Sequence, residues 1–139
     1  MKPDVDIRFG VIKWFSEEEY TDKALQIRET IRSGDERAVL PDLLLYEVAN
    51  ALRYNPQFNE NDVSEALDSI LDMGMDIVTP TSEIINSAIE LAFRYDITFY
   101  DSFYVALAKE LEITLITADK KLHNKVKETH FVEFIGEVS

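Results

Sequence analysis

The stretch YDSFYVALAKELEITLITAD, residues 100–119, holds the two patterns that decide the fold. Its first part predicts a helix over 101–111, because apolar residues recur at helical spacing at Phe103, Ala106 and Leu107. Its last part, 114–117, is apolar and β-branched, which predicts a short strand. A helix followed closely by a short strand is the repeating unit of an α/β domain.

The same alternation extends along the chain on both sides of this stretch. Further strands are predicted at 5–7, 38–40, 76–78 and 131–134. Further helices are predicted at 21–33, from Asp42 to about Asn55, from a cap at Asn59 or Asn61 to Gly74, from Thr81 to about Tyr95, and over 120–128. This order predicts a parallel sheet covered by helices on both faces. Ligands bind such sheets at the carboxyl ends of the strands, where the strand order reverses.

Length and composition indicate one folded domain spanning 1–139. Hydrophobic residues make up 46% of the 139 residues and charged residues 29%. The absence of cysteine excludes disulfides, thiolate metal sites and a cysteine nucleophile, and the two histidines leave little room for a histidine zinc site. No apolar run approaches the roughly 20 residues that span a bilayer, and the first residues do not form a secretory signal. We therefore expect a cytoplasmic protein with no membrane contact.

The charge balance is strongly acidic, with 14 Lys and Arg against 27 Asp and Glu and a net charge of -13. This argues against a non-specific nucleic-acid coat, which needs a broad basic face. It leaves open an enzyme that acts on nucleic acid through carboxylate-bound metal, or a protein with a basic partner. Most of these carboxylates are expected on solvated helix faces.

Four acidic residues fall after predicted strands or near helix starts, where the sheet rule places a site: Asp6, Glu47, Asp101 and Asp119. Carboxylates that leave the remaining positions to water suit Mg²⁺ or Mn²⁺, which prefer oxygen ligands. One or two such ions can generate a hydroxide nucleophile and stabilise in-line displacement at phosphorus. The four residues together predict a metal-assisted hydrolase site.

Each of the four residues also has a purely structural interpretation. Glu47 lies within an apolar helical stripe, where a carboxylate is costly without a partner unless it lies at the solvated edge. Asp101 could stabilise the start of its helix through the macrodipole, and Asp119 could cap the next helix. Asp6 could be an ordinary polar residue at a strand end.

Four segments together resemble a known family: VIKWF at 11–15, EVANAL at 47–52, YDSFYVALA at 100–108 and LITADKKL at 115–122. In order and spacing they resemble PIN domains, in particular the VapC-like toxins of prokaryotic toxin–antitoxin pairs. The resemblance implies a Rossmann-like three-layer α/β/α fold with a short-stranded parallel sheet. It also implies a homodimer, Mg²⁺- or Mn²⁺-dependent cleavage of RNA, and an antitoxin protein as partner.

Carried over by position, the resemblance makes Glu47 and Asp101 metal-site carboxylates and Asp119 the fourth acidic residue, supported by Thr117. Ser102, beside Asp101 in the same motif, is a further supporting candidate. Tyr104, and Tyr100 one helical turn before it, could stack on a base, or they could pack beneath the site or at a dimer contact.

The N-terminal segment departs from the family pattern at the site itself. The pattern places an aspartate six residues before a lysine such as Lys13, whereas here Ile7 holds that position and Asp6 precedes it. We favour Asp6 as the first metal carboxylate, because Gly10 eases a turn that absorbs the extra residue. Asp4 is the alternative ligand. Arg8 stands where a small polar group is expected and would either repel a metal or contact a phosphate.

Three functions therefore compete. The first is a divalent-metal-dependent endoribonuclease of the VapC type. The second is a catalytically degenerate PIN-fold protein that binds its antitoxin or dimerises without cutting RNA, which the Asp6-Ile7-Arg8 segment motivates. The third is an α/β enzyme acting on a phosphorylated small molecule, against which the lack of a Gly-rich loop speaks.

Overall fold

Short parallel strands and longer helices alternate along the chain, as the sequence predicts. The computed structural model describes residues 5–6, 29, 39–117 and 119–134, and for residues 5–6 the backbone alone. The strands are β1 Val5–Asp6, β2 Val39–Pro41, β3 Asp76–Val78, β4 Thr114–Thr117 and β5 Val132–Phe134. The helices are α1 Asp42–Arg53, α2 Glu60–Leu71, α3 Ser82–Tyr95, α4 Phe99–Leu111 and α5 Lys120–Val126, followed by a 3-10 turn at Lys127–Thr129. Of the helix predicted at 21–33, only Glu29 is described, and it is helical.

Every described strand pairing is parallel, which confirms the predicted sheet type. β1, β4 and β5 form one sheet in the order β1-β4-β5, and β2 pairs with β3. β1 also contacts β2, so it lies where the two groups of strands meet. On its other side, Asp6 is in register with Leu115 of β4. The junction beside β1 is therefore the place where the strand order reverses and where a ligand site is expected.

Four of the five named helices begin at a polar side-chain cap, and α1 begins after Pro41 without one. α2 begins with a reciprocal box in which Asn59 Oδ1 accepts from the Asp62 N–H and Asp62 Oδ2 accepts from the Asn59 N–H, both at 2.9 Å. Thr81 caps α3 through a 3.2 Å bond from the Ile84 N–H. The choice between Asn59 and Asn61 is thereby settled in favour of Asn59.

Three predicted helix boundaries are wrong: α2 ends at Leu71 and not at Gly74, and the errors in α4 and α5 each have a local reason. α4 starts two residues before Asp101, because Thr98 is its cap and accepts the Asp101 N–H at 3.1 Å. α5 ends at Val126 and not at Glu128, because the chain tightens into a 3-10 turn and then reaches His130 at a φ of 67°. A residue in that left-handed conformation ends the helical path.

The core is built around α4. Residues 102–108 are all buried, which is the behaviour of a helix that is covered on every side. α4 packs against α3 on one side and against β4 on another. The strand β4 is buried from Leu115 to Thr117. Within the described ranges, no helix is both long and apolar enough to cross a membrane.

Candidate active site

Glu47 lies in α1 as a half-buried carboxylate beside a buried apolar stripe. Leu44 and Val48 on the same helix are fully buried. The Tyr104 hydroxyl donates a 2.6 Å hydrogen bond to Glu47 Oε1. Because a carboxylate at such a position needs a partner, this bond explains how Glu47 is tolerated there. It also joins α1 to α4 across 57 residues of sequence.

Asp101 lies in the first turn of α4, three residues after the cap at Thr98. A negative charge there is stabilised by the helix macrodipole, so the structural interpretation of Asp101 has a geometric basis. That role does not compete with metal binding, because it consumes no carboxylate oxygen. Ser102 is completely buried, and its hydroxyl donates to the Phe99 carbonyl at 2.8 Å, a contact within its own helix.

Asp119 follows β4 and is held from two directions. Its N–H donates to Thr117 Oγ1 at 3.0 Å, and its Oδ1 accepts the Leu122 N–H at 3.0 Å. The second bond makes Asp119 the cap of α5, as its structural interpretation predicts. Thr117 is 1% exposed, so the hydroxyl that positions the Asp119 backbone is fixed inside the protein.

The strand register fixes the backbone position of Asp6 beside β4. Asp6 is aligned with Leu115, four residues before Asp119 on the adjacent parallel strand. The helix that carries Asp101 packs on that strand, and Tyr104 ties Glu47 to the same helix. The elements that bear the four acidic residues are therefore linked through β1, β4 and α4.

Neighbouring elements do not by themselves bring the acidic side chains close enough together to bind a metal ion. In the part of the chain with described side chains, no three acidic or histidine residues form a group that could hold a metal ion. The predicted group also includes Asp6, whose side chain lies outside that part. The other residues used in the N-terminal prediction lie outside the described residues altogether: Asp4, Ile7, Arg8, Gly10 and Lys13.

The two tyrosines of the motif have separate environments. Tyr104 is 1% exposed and hydrogen-bonded to Glu47, whereas Tyr100 is 60% exposed on the same helix. The bond from Tyr104 to Glu47 was not predicted. Tyr104 lies three residues after Asp101, so the two are neighbours on one helix face. If Glu47 and Asp101 share a site, this spacing indicates Tyr104 as a possible partner of Glu47.

Comparison with known proteins decides the family. The PIN-domain family model matches residues 11–128. The chain belongs to the PIN-domain family. This PIN domain is 32% identical over 113 residues to Ribonuclease VapC3 of Pyrobaculum aerophilum, covering 73% of this chain and 86% of that relative. It is 34% identical over 85 residues to Ribonuclease VapC1 of Mycobacterium tuberculosis, covering 59% of this chain and 62% of that relative.

Solved structures agree with the family assignment at the level of the fold. A toxin–antitoxin complex from Klebsiella pneumoniae contains a chain that matches with a TM-score of 0.71 at 15% identity, over 97% of this PIN domain and 99% of that chain. A crystal structure of a Pyrobaculum aerophilum protein matches with a TM-score of 0.64 at 20% identity, over 98% and 90%. The predicted PIN-type α/β fold with short parallel strands is therefore confirmed.

Proposed function

We propose that this chain, as a single PIN domain over 1–139, is a metal-dependent endoribonuclease toxin of the VapC type. The observation that carries the proposal is the Tyr104–Glu47 bond, which keeps a partly buried carboxylate next to the helix that bears Asp101. The relatives named Ribonuclease VapC3 and Ribonuclease VapC1 support RNA as the substrate class.

The donor set of the proposed site is composed of carboxylate oxygens, which fits Mg²⁺ or Mn²⁺ better than a softer metal. Asp6, Glu47, Asp101 and Asp119 would hold the ion. When bound, such an ion supplies activation of water and neutralisation of charge on the scissile phosphate. Asp119 can cap α5 and bind metal at the same time, because Oδ1 accepts the Leu122 N–H while Oδ2 would face the ion.

The remaining chain residues would position the substrate and the site. Thr117 holds the backbone of Asp119, and the buried Ser102 steadies the first turn of α4 under Asp101. Arg8 would contact a phosphate of the RNA. The exposed Tyr100 ring, next to Asp101 in the chain, is the candidate for stacking on an RNA base.

The proposal includes a partner protein, a homodimer and a cytoplasmic location. The fold match to a toxin–antitoxin complex supports an antitoxin as the partner. An acidic site is complementary to a cation, so an antitoxin that places an arginine or lysine there would block the metal position. Co-purification that recovers no small basic partner would count against this part of the proposal.

The decisive experiment is cleavage of labelled single-stranded RNA by antitoxin-free protein in parallel with Mn²⁺, Mg²⁺ and EDTA. We expect cutting only with metal, and we expect Asp101→Asn to lower the rate by at least about 100-fold, the upper end of what loss of an outer-shell partner costs. Asp68→Asn makes the same charge change at an exposed position of α2 and should cut like the wild type. Folded, metal-supplied protein that cuts none of several RNAs would favour the degenerate binding protein.

A further inference from the structure

The Tyr104–Glu47 pair has features beyond those of an ordinary core contact. At 2.6 Å the bond has the length of an O–H donor on a charged carboxylate. The tyrosine is 1% exposed, so its ring is fixed by packing and its hydroxyl has a defined position. Glu47, by contrast, is only half-buried and belongs to a different helix. The buried partner therefore restricts the more exposed one.

The position of Tyr104 connects this restriction to the candidate site. Tyr104 is three residues after Asp101 on α4, so the two residues are neighbours on one helix face. The hydrogen bond from Tyr104 therefore fixes the position of the Glu47 carboxylate relative to the helix that carries Asp101. Side-chain partners of this kind orient ligand oxygens and often matter nearly as much as the ligands.

We propose that Tyr104 is a positioning residue for the metal site. Its hydroxyl engages Glu47 Oε1 and so directs Oε2 toward the divalent ion, in register with Asp101. This inference rests on the proposed function, since it assigns a role at the same site. It also makes α4 the source of two contributions, a carboxylate at Asp101 and an orienting donor at Tyr104.

The test is the Mn²⁺ affinity of RNA-free protein, measured by EPR titration of the wild type and Tyr104→Phe. Phenylalanine retains the buried ring and removes only the hydroxyl. We expect the Mn²⁺ dissociation constant to rise about 10- to 100-fold. Far-UV circular dichroism and urea unfolding establish that the fold is retained. Tyr104→Met, of similar length and flexible, provides a second hydroxyl-free variant if the first does not fold.

A matched control is available at Tyr95, which ends α3 and lies beside Glu128. Burial, and then the hydrogen bond and negative charge of Glu128, raise the pKa of Tyr95. Tyr95→Phe therefore removes another tyrosine hydroxyl from a carboxylate that is not one of the proposed metal ligands. We expect its Mn²⁺ affinity to equal that of the wild type.

A double-mutant cycle shows whether Tyr104 acts through Glu47. In a Glu47→Ala background, Tyr104→Phe should change the Mn²⁺ dissociation constant by less than about threefold, because the acceptor of the Tyr104 hydroxyl is already absent. Wild-type Mn²⁺ affinity in Tyr104→Phe, or fully additive losses in the cycle, would overturn the positioning role of Tyr104. The proposed function would still stand if the wild type cut RNA in a metal-dependent way. A wild type that neither binds Mn²⁺ nor cuts RNA would overturn both.

Discussion

Asp119 has an observed role as a helix cap and a proposed role in the site, and single substitutions can separate the two. Its Oδ1 caps α5 by accepting the Leu122 N–H, whereas the proposed site needs its charge. Asparagine retains a capping oxygen but has no charge, and alanine has neither. The stability and the activity of these two variants should therefore respond differently.

We expect Asp119→Ala to lower the free energy of unfolding by about 0.5–2 kcal/mol through loss of the cap. Asp119→Asn should lose only the interaction of the charge with the helix dipole, about 0.3–1 kcal/mol. Both variants should lose RNA cleavage to a similar extent, because both lack the carboxylate. Urea unfolding and the metal-dependent cleavage assay measure the two quantities separately. Wild-type cutting by Asp119→Asn would reduce Asp119 to a cap.

At the residue scale, the sequence predicted the candidates but not their partners. Glu47 was expected either to have a partner or to lie at the solvated edge of its apolar stripe, and Tyr104 is the partner. The identity of the partner could not be predicted, because Tyr104 lies 57 residues away and local sequence patterns do not report such contacts. Asp119 as a cap was predictable, since capping depends only on the residues that follow it.

At the element scale, α4 is the rigid support of the proposed site. Residues 102–108 of this helix are buried, and it packs on α3 and β4. An increase in volume inside it must therefore displace neighbouring elements, since protein cores have few voids. Ala106, which is fully buried near the middle of α4, is the sharpest position for such a test.

Ala106→Leu should lower the free energy of unfolding by about 1–3 kcal/mol through overpacking. Ala51→Leu is the matched control, because Ala51 is an exposed alanine in α1 and the change there should stay within about 0.5 kcal/mol. Urea unfolding of both variants gives the comparison. Equal stability of the two would show that the surroundings of α4 adapt freely, and α4 could then not act as a rigid support.

Element boundaries were less predictable than element types. The existence and type of each of the five strands and five named helices were predicted, because apolar periodicity reports them directly. The start of α4 was misplaced because the aspartate at 101 was preferred over Thr98, although threonine followed three residues later by aspartate is itself a cap pattern. The end of α5 depends on the left-handed His130, which side-chain identity alone does not indicate.

At the scale of the whole molecule, the proposed site depends on the topology of the sheet. Residues 6, 47, 101 and 119 are far apart in sequence, and the parallel pairing of β1 with β4 aligns Asp6 with the strand that leads to Asp119. The general rule for parallel sheets predicts a site at the carboxyl ends of the strands, and that location remains a prediction. It could not predict side-chain approach, which depends on packing between elements distant in the chain.

The net charge of -13 is a property of the whole molecule with a measurable effect on stability. Excess negative charge repels itself more strongly in the compact state than in the unfolded chain. Salt screens this repulsion, and the Debye length falls from about 30 Å at 0.01 M to about 10 Å at 0.1 M. We therefore expect added NaCl to raise the free energy of unfolding, with most of the increase complete by about 0.1 M.

The shape of this salt dependence distinguishes screening from other salt effects. Urea unfolding in NaCl and KCl should give the same curve that levels off, because screening depends on ionic strength and not on the identity of the ion. An increase that continues steadily to 1 M, or that differs between salts, would indicate exclusion of salt from the surface instead. No increase at all would mean that the carboxylates are too far apart, or too well paired, to destabilise the fold. The same self-repulsion would be relieved by a basic partner protein, so a levelling curve also predicts that antitoxin binding removes most of the salt dependence.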